Sequence, residues 1–141
     1  MNLYAMDGCA LLAFLRGEPG DLVVAGLLAD EDNVCRVHAI NMCEVYYDTL
    51  RMAAALDPAT SEAQAKGDVA KTMTAGVELR EDMDVDFWEL VGRLKVNPGK
   101  ISLADCFVLA LAIRTGATLV TADHEFDRVV PLGLCPILFI R

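Results

Sequence analysis

The sequence has no apolar run long enough to cross a bilayer and no CxxC pair. A membrane-spanning helix needs roughly 18 consecutive apolar residues, and charged residues interrupt every apolar stretch here well before that length. The five cysteines are odd in number and scattered along the chain. Neither a disulfide framework nor a zinc site of paired cysteines is therefore predicted. We expect no membrane contact, and we expect the cysteines to be mostly small buried apolar residues.

Residues 1–6 contain no Lys or Arg, and the acidic residue Asp7 follows them directly. The N-terminus therefore lacks the basic segment of a signal peptide. This pattern predicts a cytoplasmic protein. A length of 141 residues is sufficient for one substantial core, so a single domain spanning 1–141 is predicted.

Basic residues are scarce, since 12 Lys and Arg stand against 21 Asp and Glu, giving a net charge of −9. Unspecific adhesion to nucleic acid, which relies on clustered basic residues, is not expected. A nuclease is still possible, because bound cations offset the carboxylates that hold them. The two histidines favour no zinc site, because Cys35 and His38 should point to opposite faces of one strand.

What the sequence does contain is a late segment, ISLADCFVLALAIRTGATLVTAD, with the order helix, glycine, strand and acid. Ser102 to Asp105 resembles a capping box before the apolar run 106–113, which predicts a helix. Gly116 suits the end of that helix, and 117–121 predicts a short buried strand. A lone carboxylate such as Asp123 is rarely placed at the edge of a core without a partner, so its position suggests a functional role.

Short strands and helices alternate along the rest of the chain. This order predicts an α/β fold with a mainly parallel sheet, and right-handed crossovers would place helices on both faces. The remaining strands are predicted at 3–6, 34–38, 83–85 and 135–140, and the remaining helices at 8–15, 21–30, 41–56 and 59–79, with a short helix or turn at 126–130.

Four acids are expected at one edge of this sheet. A site in an open parallel sheet lies outside the carboxyl ends of the strands, where Asp7 and Asp123 should be neighbours. Glu44 and Asp105, each in the first turn of a helix, can face the same crevice. Two carboxylates about 5 Å apart repel by roughly 3 kcal/mol at an effective dielectric near 20. Such a cluster needs a cation or raised pKa values, and oxygen ligands suit Mg²⁺ or Mn²⁺ in phosphodiester hydrolysis.

Each acid also has a structural explanation. Asn41 to Glu44 and Ser102 to Asp105 both fit capping boxes, and Asp7 and Asp123 could cap the helices that follow them. The acidic block 78–89 is typical of a solvated face. A phospho-acceptor receiver domain would also carry acids at strand ends, but it expects a lysine late in the chain that 135–141 lacks.

The order and contexts of these acids resemble the PIN-domain family, and especially its VapC-like toxins. The resemblance rests on YAMDGCALLAFL, INMCEVYY and the late segment quoted above, which is followed by Phe126. It implies a three-layer α/β/α sandwich and a Mg²⁺- or Mn²⁺-dependent endoribonuclease with Asp7, Glu44, Asp105 and Asp123 at its active site. It also implies a cognate antitoxin and a homodimer.

Under this hypothesis the three aspartates hold or orient the metal, while Glu44 positions a ligand or activates the attacking water. Asn41 and Thr121 are candidate donors that hold those carboxylates in place. Gly8 departs from the pattern, because many members have serine or threonine there. The alternative function is a catalytically weak PIN-like module that acts through a protein partner, since an antitoxin would cover exposed apolar surface.

Overall fold

A five-stranded, all-parallel sheet forms the centre of the computed structural model, which describes all 141 residues. The strands are β1 (Asn2–Met6), β2 (Asn33–His38), β3 (Glu78–Arg80), β4 (Thr118–Thr121) and β5 (Ile137–Phe139), in the spatial order β3-β2-β1-β4-β5. The helices are α1 (Gly8–Arg16), α2 (Asp21–Ala29), α3 (Ala39–Leu56), α4 (Ser61–Thr74), α5 (Val85–Val96) and α6 (Leu103–Thr115), with 3₁₀ helices at His124–Arg128 and Val130–Leu132. None of these helices is both long and apolar enough to span a membrane.

Helices cover both faces of the sheet and form two separate cores. Successive residues of a strand point to opposite faces, so Ala5 and Leu119 join the core beneath α5 and α6. Their neighbours Met6 and Val120 join the core beneath α1, α2 and α3. A parallel sheet buried on both faces explains the continuous apolar runs of the strands. The predicted three-layer α/β/α sandwich is confirmed.

Helix α6 is buried on all sides over most of its length. Residues 105–112 are all buried, as expected for a helix without a polar stripe. The predicted capping box is present, because the Ser102 hydroxyl accepts from Asp105 N and the Asp105 carboxylate accepts from Ser102 N, both at 3.0 Å. Gly116 ends the helix with φ +68, a left-handed conformation that favours glycine.

The predicted strand at 83–85 is wrong. The strand of that region is β3, which pairs at the sheet edge with β2, Glu78 lying opposite Arg36. Asp82 and Asp84 lie beyond it and bind Arg114 at 3.0 and 2.5 Å. Part of the acidic block is therefore paired with cations, although it was interpreted as a solvated face.

Helix boundaries in the middle of the chain also differ from the prediction. His38 caps α3, since its Nδ1 accepts from Ile40 N at 3.1 Å, so the predicted capping box of Asn41 to Glu44 is wrong. As predicted, Cys35 and His38 face opposite sides of the sheet, because Cys35 joins the core beneath α1 and His38 stacks on Phe87 with ring centroids 5.3 Å apart.

Candidate active site

An acidic cavity lies at the carboxyl ends of β1 and β4. Its volume is about 410 Å³, and its lining includes all four of the predicted acids. Neighbouring parallel strands end at the same edge of the sheet. Asp7 and Asp123, which follow β1 and β4, therefore both line the cavity at that edge. The lining residues are Asp7, Cys9, Leu12, Arg16, Glu18, Glu44, Tyr47, Asp48, Ser102, Asp105, Asp123, Glu125 and Arg141.

Asp7 is buried at the floor of the cavity, with only 2% of its surface exposed. Its Oδ1 accepts from Gly8 N at 2.8 Å, so Asp7 caps α1. Its Oδ2 accepts from the Thr121 hydroxyl at 2.8 Å and from the Cys9 thiol at 3.1 Å. These three contacts fix the carboxylate and leave lone pairs on its oxygens for a cation.

Asp123 is tied to Asp7 through Thr121. The Thr121 hydroxyl accepts from Asp123 N at 2.9 Å while it donates to Asp7. The Asp123 side chain accepts from Glu125 N at 2.8 Å and caps the following 3₁₀ helix. Thr121 therefore joins the two strand-end acids through hydrogen bonds.

Asn41 connects the helices that carry Glu44 and Asp105. Its Nδ2 donates to the Ala104 carbonyl at 3.1 Å and lies 3.5 Å from Glu44 Oε2. The side chain is fully buried, and its Oδ1 has no hydrogen-bond partner. An unpaired buried acceptor destabilises the folded state by about 1–3 kcal/mol. Here it lies where the helices that carry Glu44 and Asp105 meet.

The carboxylates raise one another's pKa. Burial first, and then the charge of Asp105, raise the pKa of Asp7 to about 6. Burial followed by the charge of Asp7 raises the pKa of Glu44 to about 7. Burial also raises the pKa of Asp105, with the charges of Asp123 and Glu125 adding to it. The metal-free cavity thus holds more negative charge than its surroundings stabilise.

The tightest group of acids in the cavity includes one that the sequence analysis passed over. Asp105, Asp123 and Glu125 each offer an oxygen, and these oxygens lie within 4.8 Å of one another. Glu125 is the exposed member, and it approaches Asp105 because Asp123 caps the 3₁₀ helix that carries it. Three convergent carboxylates, with Asp7 and Glu44 beside them, fit a hard divalent cation.

A comparison with protein families gives a direct match. The sequence profile of the PIN domain matches residues 4–130, which is most of the chain. The chain belongs to the PIN domain family. The search of curated proteins gave no match.

Solved structures with the same fold come from toxin–antitoxin systems. The PIN chain described here has 18% identity and a TM-score of 0.70 to a chain of VapBC2 from Rickettsia felis bound to a promoter DNA fragment, with 97% and 98% of the two chains covered. It has 14% identity and a TM-score of 0.67 to VapBC-1 from nontypeable Haemophilus influenzae, covering 98% of each chain. For VapBC-5 from Mycobacterium tuberculosis the values are 16% and 0.65, with 99% of each chain covered.

Gly8 in this PIN domain permits a close approach that a larger residue would prevent. A Cβ atom at position 8 would lie 2.7 Å from Glu44 Oε2 and 3.2 Å from the Asn41 carbonyl. A serine or threonine here would therefore displace the Glu44 carboxylate from its present position. The Cys9 thiol, one residue later, supplies a donor to Asp7 from within the same helix.

The sequence also did not indicate Cys9 or the two arginines of the lining. Cys9 was interpreted as a buried apolar residue, but its thiol bonds the Asp7 carboxylate. Arg16 and Arg141 are the only cationic side chains of the lining. The spacing of Cys9 and Arg16 on α1 could have indicated a shared face, because residues seven apart lie two turns apart on one side of a helix.

Proposed function

We propose that this protein is a Mg²⁺- or Mn²⁺-dependent endoribonuclease that hydrolyses RNA phosphodiester bonds. The observation that carries the proposal is the convergence of Asp105, Asp123 and Glu125 within 4.8 Å, beside two further acids of raised pKa, Asp7 and Glu44. Membership of the PIN domain family supports it. Such a donor set, made only of carboxylates, suits hard oxygen-preferring cations and not zinc.

The roles of the residues follow from their positions. Asp7, Asp105 and Asp123 would hold the cation, with Glu125 as an additional ligand. The cation supplies counter-charge for the phosphoryl group and activates it toward attack. Glu44 would take the proton of the attacking water, because its carboxylate lines the same cavity as the proposed ligands and a general base must lie within reach of the proton it accepts. Thr121 and Asn41 would keep Asp7 and Glu44 in place.

Cleavage of RNA is expected with Mn²⁺ or Mg²⁺ and should stop when EDTA removes the cation. Substituting Glu125→Gln should weaken Mn²⁺ binding by about 10-fold, as losing one supporting group at a metal site commonly does. Cleavage is followed on labelled RNA by gel electrophoresis, and Mn²⁺ affinity by calorimetry on the same preparations.

Asp127→Asn is the matched control for this experiment. Asp127 lies two residues after Glu125 in the same 3₁₀ helix, but it is 63% exposed and pairs with His124 outside the cavity. Its substitution should leave both readouts unchanged. RNA cleavage that continues undiminished in EDTA would refute the metal-dependent nuclease, and equal Mn²⁺ affinities for Glu125→Gln and wild type would remove Glu125 from the ligand set.

We further propose that the nuclease is the toxin of a toxin–antitoxin pair, acts in the cytoplasm and forms a homodimer. The similar crystal structures of VapBC proteins support an antitoxin partner. A second cavity has an exclusively apolar lining, which supports a protein partner, either the antitoxin or a second copy of this chain. It is lined by Ala39, Met42, Cys43, Tyr46, Tyr47, Val69 and Leu79. Such a cavity also favours the alternative function, a binding module of weak activity.

Expression of the protein should arrest growth, and co-expression of a small DNA-binding protein encoded next to it should relieve the arrest. The Asp123→Asn variant separates the two candidate functions, because a toxin that cleaves RNA loses its effect and a binding module keeps it. Growth that is never arrested, or arrest that the neighbour leaves unchanged, would contradict the toxin assignment.

A further inference from the structure

The acidic cavity continues into a groove between α1 and α3. Its two walls are stripes of residues spaced three or four apart, which places each stripe on one face of its helix. We call this the α1–α3 groove, and its walls are Cys9, Leu12 and Arg16 on α1 and Glu44, Tyr47 and Asp48 on α3. Asp7 caps the inner end of α1, and Arg16 is its last residue, so about 13 Å of helix axis separates them.

The outer end of the groove lacks the excess negative charge of the inner end. Arg16 Nη2 lies 2.8 Å from one Asp48 oxygen, and Arg51 Nη2 lies 2.5 Å from the other. Arg141 Nη1 lies 3.6 Å from Glu18. Within the lining, the guanidinium groups of Arg16 and Arg141 meet the carboxylates of Asp48 and Glu18, so this end is close to neutral beside a strongly acidic site.

Arg16 has donors to spare. Its one hydrogen bond goes to Asp48, and Glu18 is 3.8 Å away, whereas a guanidinium group offers five N–H donors. The side chain is 23% exposed and lines the cavity. Arginine binds phosphate through two parallel hydrogen bonds, so these unused donors suit an RNA phosphate that flanks the cleaved bond.

Tyr47 provides an aromatic surface on the opposite wall. It lies one helical turn after Glu44 and is 53% exposed. Arg51 approaches its ring at 5.9 Å from the centroid. Exposed aromatic rings are a usual means of holding single-stranded nucleic acid, because an unpaired base stacks on the ring.

We propose that the α1–α3 groove binds single-stranded RNA on one side of the cleaved bond, with Arg16 holding a flanking phosphate and Tyr47 stacking on a base. This inference rests on the proposed ribonuclease function and specifies its substrate. It also explains how a chain of net charge −9 binds an anionic polymer, because the cation in the acidic site and Arg16 in the groove supply positive charge at successive points along the strand. A paired A-form helix keeps its bases stacked and offers none to Tyr47.

The test compares two single-stranded RNA substrates, a short one that covers only the acidic site and a longer one that also fills the groove. For the longer RNA, Tyr47→Ala should raise KM about 5- to 10-fold, the effect expected for losing one stacked base. Arg16→Ala should raise KM and reduce the slope of log KM against log salt by about 1. For both variants the KM of the longer RNA should rise more than the KM of the short RNA, because the short RNA does not extend to Arg16 or Tyr47.

Arg51→Ala is the matched control for Arg16. Arg51 binds the same Asp48 carboxylate but is 72% exposed and does not line the cavity, so its loss should leave the salt slope unchanged. Tyr47→Phe keeps the ring and should restore the wild-type KM. If a substitution only weakened the packing of α1 against α3, the KM values of the short and the long RNA would change equally.

Two kinds of failure are distinguishable. If the wild type cleaves neither RNA, the proposed function is wrong and the groove has no substrate to hold. If the wild type cleaves RNA but Arg16→Ala leaves the KM and salt slope of the longer RNA unchanged, only the groove proposal is overturned. Equal efficiency on double-stranded RNA would also overturn it.

Discussion

Replacing Asp7 with asparagine should abolish RNA cleavage and yet stabilise the metal-free protein at neutral pH. Under the proposed function Asp7 would hold the cation, and its loss should lower kcat at least about 100-fold. Asparagine has nearly the same shape, and its side-chain oxygen can still accept from Gly8 N, the contact that caps α1. The Thr121 hydroxyl, which donates to Asp7, can rotate to accept from the new amide.

The stabilisation follows from the pKa of Asp7. Burial raises that pKa from 3.8 to about 6, so at pH 7 the wild-type carboxyl is ionised at a cost of roughly 3 kcal/mol relative to the unfolded chain. Asparagine carries no charge and removes this cost, and about 1–3 kcal/mol of added unfolding free energy is expected after allowance for an imperfect hydrogen bond. Urea unfolding in EDTA at pH 7 measures it.

Asp127→Asn serves as the control again, because Asp127 is an exposed acid outside the cavity. It should leave cleavage unchanged, and it should not stabilise the protein, because its only effect on unfolding is the loss of the exposed pair with His124. An Asp7→Asn protein that is less stable than the wild type in EDTA would show that Asp7 is a structural cap and that its charge costs nothing. Wild-type cleavage by the same variant would remove Asp7 from the active site.

The strand-end acids were predictable because topology fixes them without knowledge of side-chain packing. In an all-parallel sheet every strand ends at the same edge, and Asp7 and Asp123 meet there because β1 and β4 are neighbours. The apolar run 106–113 predicted a helix, which is confirmed as α6. Asp105 is both a capping residue and a cavity acid, so its two interpretations are compatible.

Features that depend on tertiary contacts were not predictable. β3 has three residues and exists through its pairing with β2, so local pattern could not place it. Glu125 joins the acids because a 3₁₀ helix turns its side chain toward Asp105. Arg16 reaches the cavity only because α1 packs against α3, a pairing that the sequence does not show.

The free energy of unfolding in EDTA should fall as pH rises from about 4 to 7, opposite to the behaviour of most acidic proteins. The folded-state pKa is about 6 for Asp7 and about 7 for Glu44, against 3.8 and 4.5 as ordinary values. Between these values the folded protein binds more protons than the unfolded chain, so stability declines with rising pH. Asp7 alone accounts for roughly 3 kcal/mol. Urea unfolding at a series of pH values measures the slope.

Other groups limit the window in which this decline is visible. Arg114 lowers the pKa of Asp84 to about 2, and a lowered pKa removes stability only as pH falls below about 4. The Arg141 carbonyl and Asp127 raise the pKa of His124, which adds a decline in the same direction near neutrality. Asp7→Asn keeps the His124 part and the part of Glu44 that comes from burial, so the difference between the two slopes isolates the contribution of Asp7 and of its charge on Glu44.

Mn²⁺ should cancel the decline. The cation binds only the folded protein, and there it binds only deprotonated carboxylates. The unfolding free energy that it adds therefore increases with pH. This increase covers the same pH range in which the unfolding free energy in EDTA falls. The unfolding free energy with saturating Mn²⁺ should therefore stay level or rise from pH 4 to 7. The same Mn²⁺ should leave the slope of Asp7→Asn closer to its EDTA value. If stability in EDTA instead rose across this range, the cavity acids would be stabilised by the protein itself and would have no need of a cation.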